Sequence, residues 1–157
     1  MRIPARRRGI SILRFGDFPL EREVTRDFRA TKGGWFSFMA DAFRIERHGD
    51  VSVVVPSNEV EGLQWELIEQ AADLLTVPLS DTRNPSVLFD LSEVDFFGSV
   101  FLSLLLRTWK SVTQSGGTMV LSGVSKRARE LLKVTSLDTL WAIYDTREEA
   151  MAVLESD

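Results

Sequence analysis

Residues 87–106 contain the sequence feature that most restricts how this chain can fold. Residues 87–89 are all apolar, without the polar alternation of a strand that has one face in water. After a polar loop, residues 100–106 are apolar nearly all round a helix, which is typical of a deeply buried helix. A strand covered on both faces and followed by a buried helix indicates an α/β protein, in which helices pack against a central sheet.

The segments before this strand fit the same class. Phe43 and Ile45 alternate with charged residues, residues 48–50 form the turn sequence His-Gly-Asp, and residues 51–55 are rich in valine. These features predict a β-hairpin. Apolar residues then recur at helical spacing over residues 60–75, which predicts a helix.

The segments after the strand continue the alternation. The buried helix is predicted to end near Gln114, ahead of a glycine pair at residues 116–117. The later predicted elements are a strand over residues 118–121, a helix capped by Ser125 with Ala128, Leu131 and Leu132 inward, a strand over residues 140–144, and a helix opened by Thr146 and Glu149 that buries Ala150, Val153 and Leu154. The order β-β-α-β-α-β-α-β-α predicts a mixed sheet of about five strands with helices packed against it.

Charge divides the chain into a basic head and an acidic body. Residues 1–38 carry nine Lys and Arg against four Asp and Glu, a net charge of +5, whereas residues 39–157 carry ten against nineteen, a net charge of −9. Residues 1–38 show no sustained period, so we expect a flexible or loosely docked extension, followed by one domain over residues 39–157. The pattern begins just after Met39, so translation starting at either Met1 or Met39 fits the sequence.

Composition argues against several classes of function. The chain has no cysteine, and its single histidine, His48, falls in the predicted turn, so we expect neither a thiolate metal site nor a Ser-His-Asp triad. An acidic body repels nucleic-acid phosphates, and the three arginines at residues 6–8 have no recognition helix behind them. We therefore expect no nucleic-acid partner. Because no apolar run reaches the roughly 18 residues of a spanning helix, we also expect no membrane insertion and a cytoplasmic protein.

Asp90, Glu93 and Asp95 lie near the predicted carboxyl end of the central strand, where ligands of open α/β sheets bind. A carboxylate-bound Mg²⁺ is one interpretation of this cluster. The other is that Asp90 and Ser92 form the turn between strand and loop, since no phosphate-binding glycine motif accompanies them. We therefore expect no metal, no nucleotide, no other cofactor and no enzymatic activity.

Residues 87–102, Val-Leu-Phe-Asp-Leu-Ser-Glu-Val-Asp-Phe-Phe-Gly-Ser-Val-Phe-Leu, resemble the signature strand, loop and helix start of STAS domains. The glycine pair, the helix over residues 128–135 and the closing helix over residues 146–154 are similar to later landmarks of that family. The resemblance covers residues 43–154 and implies a STAS-like fold of the anti-sigma factor antagonist type. It also implies a regulatory module that binds a kinase-like anti-sigma factor until a Ser or Thr in an Asp-Ser-Ser or Asp-Ser-Thr loop is phosphorylated.

The sequence departs from the family in this loop. Gly98 stands where the family usually has Asp, and Val100 stands where the modified hydroxyl most often lies, so Ser99 is the only hydroxyl of the loop. Ser99 is therefore the phosphoacceptor candidate, and the alternative is that it is an ordinary helix cap without regulation. Gly98 either lets a partner approach the backbone closely or merely permits the turn from strand to helix.

The predicted partner-binding surface joins this loop to the following helix and to the turn after the hairpin, which should meet at one edge of the sheet. Its predicted residues are Phe97, Gly98, Ser99, Val100, Ser103, Arg107, Ser57 and Asn58. Two other functions compete with the antagonist. One is a non-phosphorylated STAS subunit that scaffolds a larger sensory or transport complex, and the other is an enzyme or nucleotide binder, which would lack a recognisable catalytic set of residues.

Overall fold

A mixed sheet of six strands organises the part of the chain that the computed structural model describes, which is residues 11–13, 35–76, 79 and 82–156. The strands, side by side in chain order, are β1 Ser11–Leu13, β2 Phe43–His48, β3 Val51–Pro56, β4 Ser86–Asp90, β5 Thr118–Ser122 and β6 Ile143–Tyr144. β1, β2 and β3 pair antiparallel, and β3 to β6 pair parallel. In the parallel register Val53 lies opposite Leu88, and Leu88 lies opposite Val120.

Helices cover both faces of this sheet. The α-helices are α1 Trp35–Ala42, α2 Ile68–Thr76, α3 Ser99–Gln114, α4 Lys126–Val134 and α5 Arg147–Glu155, and short 3-10 helices span Asn58–Gly62, Trp65–Leu67 and Leu137–Thr139. One buried cluster joins α2, α3 and α4 to Val87 and Phe89, and another joins α5 to Leu88. Because successive side chains of a strand point to opposite faces, β4 is buried on both sides, as predicted. Among the described helices, none has the length and apolar character needed to cross a membrane.

The predicted fold class is confirmed, and the five predicted strands are present in the predicted order. Two further elements precede them, β1 and α1, of which the sequence pattern gave no sign. β1 has three residues, too few to show a period, and it places Ser11 opposite Arg47 of β2. α1 runs through residue 38, the predicted end of the extension. The rest of that extension, residues 1–10 and 14–34, lies outside the described residues.

The segment between β3 and α2 differs from the single helix that was predicted. Leu63 and Gln64 have extended backbones, so two 3-10 helices precede α2. Gly62 closes the first of them, and glycine is a poor helix former. Val60 and Leu63 are still buried, so the apolar pattern was satisfied by a different local structure.

The predicted starts of the last two helices are confirmed by hydrogen bonds. The backbone N–H of Ala128 donates to the hydroxyl of Ser125 at 3.1 Å, and the N–H of Glu149 donates to the hydroxyl of Thr146 at 3.2 Å. Two details at this end of the chain were wrong. The last strand begins only at Ile143, since Leu140 still has a helical backbone conformation at the end of the 3-10 helix Leu137–Thr139, and Val153 is 41% exposed instead of buried.

The residue before β5, Gly117, lies very close to the residue before β4, Pro85, and this contact leads to a prediction. A Cβ on Gly117 would lie 2.2 Å from the carbonyl oxygen of Pro85, which also accepts the N–H of Thr118 at 2.9 Å. We predict that Gly117→Ala lowers the free energy of unfolding by about 2 kcal/mol, because the added methyl group forces these backbones apart. Urea unfolding measures the change.

The matched control is Gly62→Ala, whose new methyl group would meet the Phe38 ring at an ordinary 3.5 Å. Its free energy of unfolding should stay within about 1 kcal/mol of the wild-type value. Equal stability of Gly117→Ala and wild type would show that the two strand starts are not packed as described.

Candidate functional site

The loop over residues 91–98 is held at the carboxyl edge of the parallel strands from two sides. The N–H of Asp95 donates to Oδ1 of Asn58 at 3.0 Å, and the hydroxyl of Ser125 donates to the carbonyl oxygen of Asp95 at 2.5 Å. Asn58 follows β3 and Ser125 follows β5, so both neighbouring loops hold the loop after β4. The structure thus brings the turn after the hairpin and the loop before α3 together at one edge.

Phe97 anchors this loop from beneath. Its side chain is 1% exposed, and its ring meets the ring of Phe101 in α3 edge-on, with centroids 5.0 Å apart. Such ring pairs contribute about 0.5–1.5 kcal/mol beyond the burial of their area. The prediction that Phe97 belongs to the partner-binding surface is therefore corrected, because a side chain buried this deeply supports the surface and is not available to a partner.

α3 begins at Ser99 without a side-chain cap. Gly98 occupies the N-cap position, where its carbonyl oxygen accepts the N–H of Leu102 at 3.1 Å and it offers no side-chain acceptor. Ser99 is the first helical residue and is exposed. The interpretation of Ser99 as an ordinary N-cap is therefore wrong, since the cap position lies one residue earlier. The N–H groups of the first turn have no acceptor within the helix itself.

Gly98 is not required by the conformation of its own backbone. Its φ of −97° and ψ of −167° lie in the extended region that any residue adopts. A Cβ at this position would meet no atom within 4 Å in the described part of the chain. The interpretation that glycine is needed for the turn is therefore wrong. Its effect is to leave the backbone bare at an exposed point beside Ser99.

The remaining residues of the predicted surface have two different roles. Ser57 is structural, because its hydroxyl donates to the carbonyl oxygen of Asp41 at 2.9 Å and accepts the N–H of Glu59 at 3.2 Å. The other four line the edge and one side of α3, exposed or half-buried, and are Asn58, Val100, Ser103 and Arg107. With Gly98 and Ser99 they form the set that we call the edge surface.

An aromatic and a cationic side chain beside the edge surface were not predicted. The guanidinium carbon of Arg127, in the first turn of α4, lies 4.7 Å above the ring centroid of Phe96. A contact of this kind contributes about 0.5–1 kcal/mol where it is exposed. Phe96 and Arg127 are far apart in sequence and follow no common period, so only the fold reveals the pair.

A network of charged side chains lies on the α5 side of the sheet and extends to the carboxyl edge of the parallel strands. Nε of Arg147 donates to Oδ2 of Asp90 at 2.8 Å, and Nη1 donates to Oε2 of Glu46 at 2.7 Å. Asp90 and Glu46 are 5% and 8% exposed, and the side chain of Arg147 is 25% exposed. One cation therefore serves two buried carboxylates and connects α5 to β2 and β4.

The carboxylate of Asp90 is held by the turn at Ser92 and by Arg147. Burial alone would raise the pKa of Asp90, but the hydrogen bonds from Ser92 and the Arg147 guanidinium outweigh it and hold the pKa below its ordinary 3.8. Oδ1 of Asp90 accepts the N–H of Ser92 at 3.1 Å, which is the predicted turn. Glu93 pairs with Arg44 at 3.3 Å. Within the described ranges, no three His, Asp or Glu side chains are grouped to hold a metal ion.

Comparison with known proteins gives independent information. The family model of the STAS domain matches residues 42–150. The solved structure of an anti-sigma-factor antagonist (STAS) domain protein from Planctomyces limnophilus is 32% identical with a TM-score of 0.63, and the match covers 72% of this chain and 97% of that one. An anti-sigma F factor antagonist from Paenibacillus polymyxa is 24% identical over 71% of this chain and 92% of its own length. An anti-sigma factor antagonist from Thermotoga maritima is 36% identical over 39% of this chain. The chain spans about half of the length of that relative, 54%.

The Arg147 network generates a prediction with a defined pH dependence. Arg147→Met leaves buried Asp90 without its cation and leaves buried Glu46 with the longer contact to Arg44 at 3.8 Å, so we predict a loss of about 2–4 kcal/mol in the free energy of unfolding at pH 7. The pKa of Asp90 is lower in the folded than in the unfolded protein. Its contribution is therefore complete well above 3.8 and is lost as the pH falls through that value toward the folded pKa. The stability gap between wild type and Arg147→Met should narrow below about pH 4.

Urea unfolding at neutral and acidic pH measures this gap. Arg129→Met is the control, because it removes an exposed ion pair with Asp145 at 2.7 Å and should cost less than about 1 kcal/mol. A loss in Arg147→Met no larger than in this control, or a gap that stays constant to low pH, would contradict the role given to the network.

Proposed function

This chain belongs to the STAS domain family, and from that premise we propose that it is a regulatory module of the anti-sigma factor antagonist type. In this proposal the edge surface binds a kinase-like anti-sigma factor, and phosphorylation of Ser99 ends the binding. The observation that supports the proposal most directly is that the Ser99 hydroxyl is available for modification. It is exposed in the first turn of α3 and makes no hydrogen bond to any described residue.

The edge surface is well suited to recognition because it is preorganised. The hydrogen bonds of Asn58 and Ser125 hold the loop before α3 from two sides, and the buried ring of Phe97 holds it from below. A surface that is already ordered loses little conformational entropy when a partner binds. Affinity then depends on the side chains that the edge presents and not on folding of the loop.

A phosphate on Ser99 would change the charge of this surface without unfolding the domain. Phosphorylation adds about −1.5 to −2 charges at pH 7, and a helix N-terminus stabilises negative charge. The exposed carboxylates of Glu59, Glu93 and Asp95 belong to loops at the same edge. The phosphate adds this charge at the first-turn N–H groups of α3, so a partner that places an acidic or oxygen-acceptor group there is repelled and displaced.

The same geometry favours action by binding instead of catalysis. Asp90 is paired with Arg147 and Glu93 is paired with Arg44, so two of the carboxylates near the loop are engaged in ion pairs. His48 ends β2 at the hairpin turn, which lies at the opposite edge of the parallel strands. Neither Asp90, Glu93 nor His48 is placed beside the Ser99 hydroxyl as a free general base, which supports a binding role.

The test is a titration of each purified kinase-like anti-sigma factor encoded in the same genome against the wild type, Ser99→Ala and Ser99→Glu. We expect one of them to bind wild type and Ser99→Ala, and to bind Ser99→Glu at least about tenfold more weakly because of like-charge repulsion. Incubation with ATP should transfer its terminal phosphoryl group to the Ser99 hydroxyl, which mass spectrometry detects.

Ser115→Glu is the matched control, because it places the same charge on an exposed serine at the far end of α3 and should bind as wild type does. Wild-type binding by Ser99→Glu, with no phosphate on Ser99, would overturn the switch. Failure of wild type to bind any of these kinases would overturn the antagonist role and favour the non-phosphorylated scaffold subunit of a sensory or transport complex.

A further inference from the structure

Trp65 is the largest apolar side chain that the described part of the molecule leaves exposed, with 58% of its surface open to solvent. It begins the short 3-10 helix Trp65–Leu67 and lies outside both the edge surface and the buried core. Tryptophan is highly buried on average, and it is enriched among the residues that dominate protein interfaces. Trp65 is therefore available to another molecule.

Exposed carboxylates flank Trp65 on its own turn and on the neighbouring helices. They are Glu61, Glu66, Glu69 and Asp73. Among the described residues, Glu69 alone of this set forms an ion pair, with Arg107 at 3.6 Å. We call Trp65 and these carboxylates the acidic patch. Because tryptophan is the side chain on which cations stack best, the patch favours a contact group that is cationic.

α4 carries the opposite charge, although residues 39–157 have a net charge of −9. Its exposed cations are Lys126, Arg127, Arg129 and Lys133. Glu130 is the single carboxylate of the helix, and Arg129 pairs with Asp145 at 2.7 Å. The last residue of the helix, Val134, is 84% exposed. The set that we call the basic patch is Lys126, Arg127, Lys133 and Val134.

The two patches lie on opposite sides of α3. β3, β4, β5 and β6 are adjacent and parallel, and α2, α3 and α4 each connect one of them to the next. Buried residues of the three helices belong to one core cluster, so the helices cover one face of the sheet in chain order, with α3 in the middle. Because α3 separates them, the two patches of one molecule do not meet, whereas the patches of two molecules can.

We propose that this protein associates with itself, with the acidic patch of one copy against the basic patch of the next. A second copy is the occupant because the same chain carries both complementary charges, each beside an exposed apolar residue. The Trp65 ring packs on Val134 and on the stem and ammonium group of Lys133. A symmetric contact of either patch with itself places like charges together, which is unfavourable. The proposal uses no residue of the edge surface and does not depend on the antagonist function.

A contact between two different patches has consequences that a symmetric dimer lacks. A row of copies keeps one free acidic patch and one free basic patch at its ends, so association continues beyond the dimer. The charges are exposed, so their attraction weakens as salt shortens the Debye length from about 8 Å at physiological ionic strength to about 3 Å at 1 M. Association should therefore increase with protein concentration and decrease with salt.

Sedimentation velocity of the full chain measures this association. Wild type should form dimers and longer species as its concentration rises, and fewer of them in about 1 M salt. Trp65→Ala removes the aromatic contact, and Lys133→Glu reverses a charge of the basic patch. Each should raise the dissociation constant at least about tenfold, because a few interface residues supply most of the binding free energy. Both side chains are exposed, so both variants should melt near the wild-type temperature.

The matched control is Lys110→Glu, which makes the same charge reversal at an exposed lysine of α3 and should associate as wild type does. An equimolar mixture of the two patch variants separates the two kinds of contact. Trp65→Ala keeps its basic patch and Lys133→Glu keeps its acidic patch, so the mixture should form dimers that neither variant forms alone, and no longer species.

Four results would overturn the proposal. They are a mixture that associates no better than the separate variants, patch variants that associate as strongly as wild type, an equal loss in Lys110→Glu, and a wild type that stays monomeric at every concentration. The last of these would leave the acidic patch to a cationic segment of another protein.

Discussion

Burial of α3 against the sheet is the constraint on which the edge surface depends. Phe101, Leu104 and Leu105 are almost completely removed from solvent, and replacing one buried leucine by alanine typically costs about 2–5 kcal/mol. Their packing sets the position and direction of the helix, and therefore the point where its first residue emerges. Gly98 and Ser99 are exposed at that point, whereas Phe101 and Leu102 of the same turn are buried.

Residues that stabilise the fold are different from the exposed residues of the edge surface. Arg147 forms ion pairs with Asp90 and Glu46. The hydroxyls of Ser57 and Ser125 donate hydrogen bonds to backbone carbonyl oxygens. The Ser99 hydroxyl has no such hydrogen bond to a described residue, although Ser99 lies at the same edge. Under the proposed function, this separation lets a phosphate on Ser99 change the charge of the edge surface without loss of structure.

The sequence predicted the features that arise from local periodicity and capping chemistry. The apolar run at residues 87–89 predicted β4, and Ser125 and Thr146 predicted the starts of the last two α-helices, because each depends on neighbours in the chain. It could not show that Arg147 reaches Glu46 or that Arg127 covers Phe96, since those contacts exist only after distant segments meet. The cap at Gly98 was missed for a related reason. A sequence marks a helix start only to within a residue or two, and one residue decides whether the Ser99 hydroxyl is a cap or is free.

Backbone amide mapping by NMR tests most directly that the edge surface is the docking site. Isotope-labelled protein would be titrated with the unlabelled kinase-like anti-sigma factor of the proposed function, and the shift of each amide signal followed. We predict the largest changes at residues 58–59 and 96–103, with almost none at residues 49–50 and 82–84 on the opposite edge. Changes concentrated on that opposite edge, with residues 96–103 undisturbed, would contradict the assignment of the edge surface as the binding site.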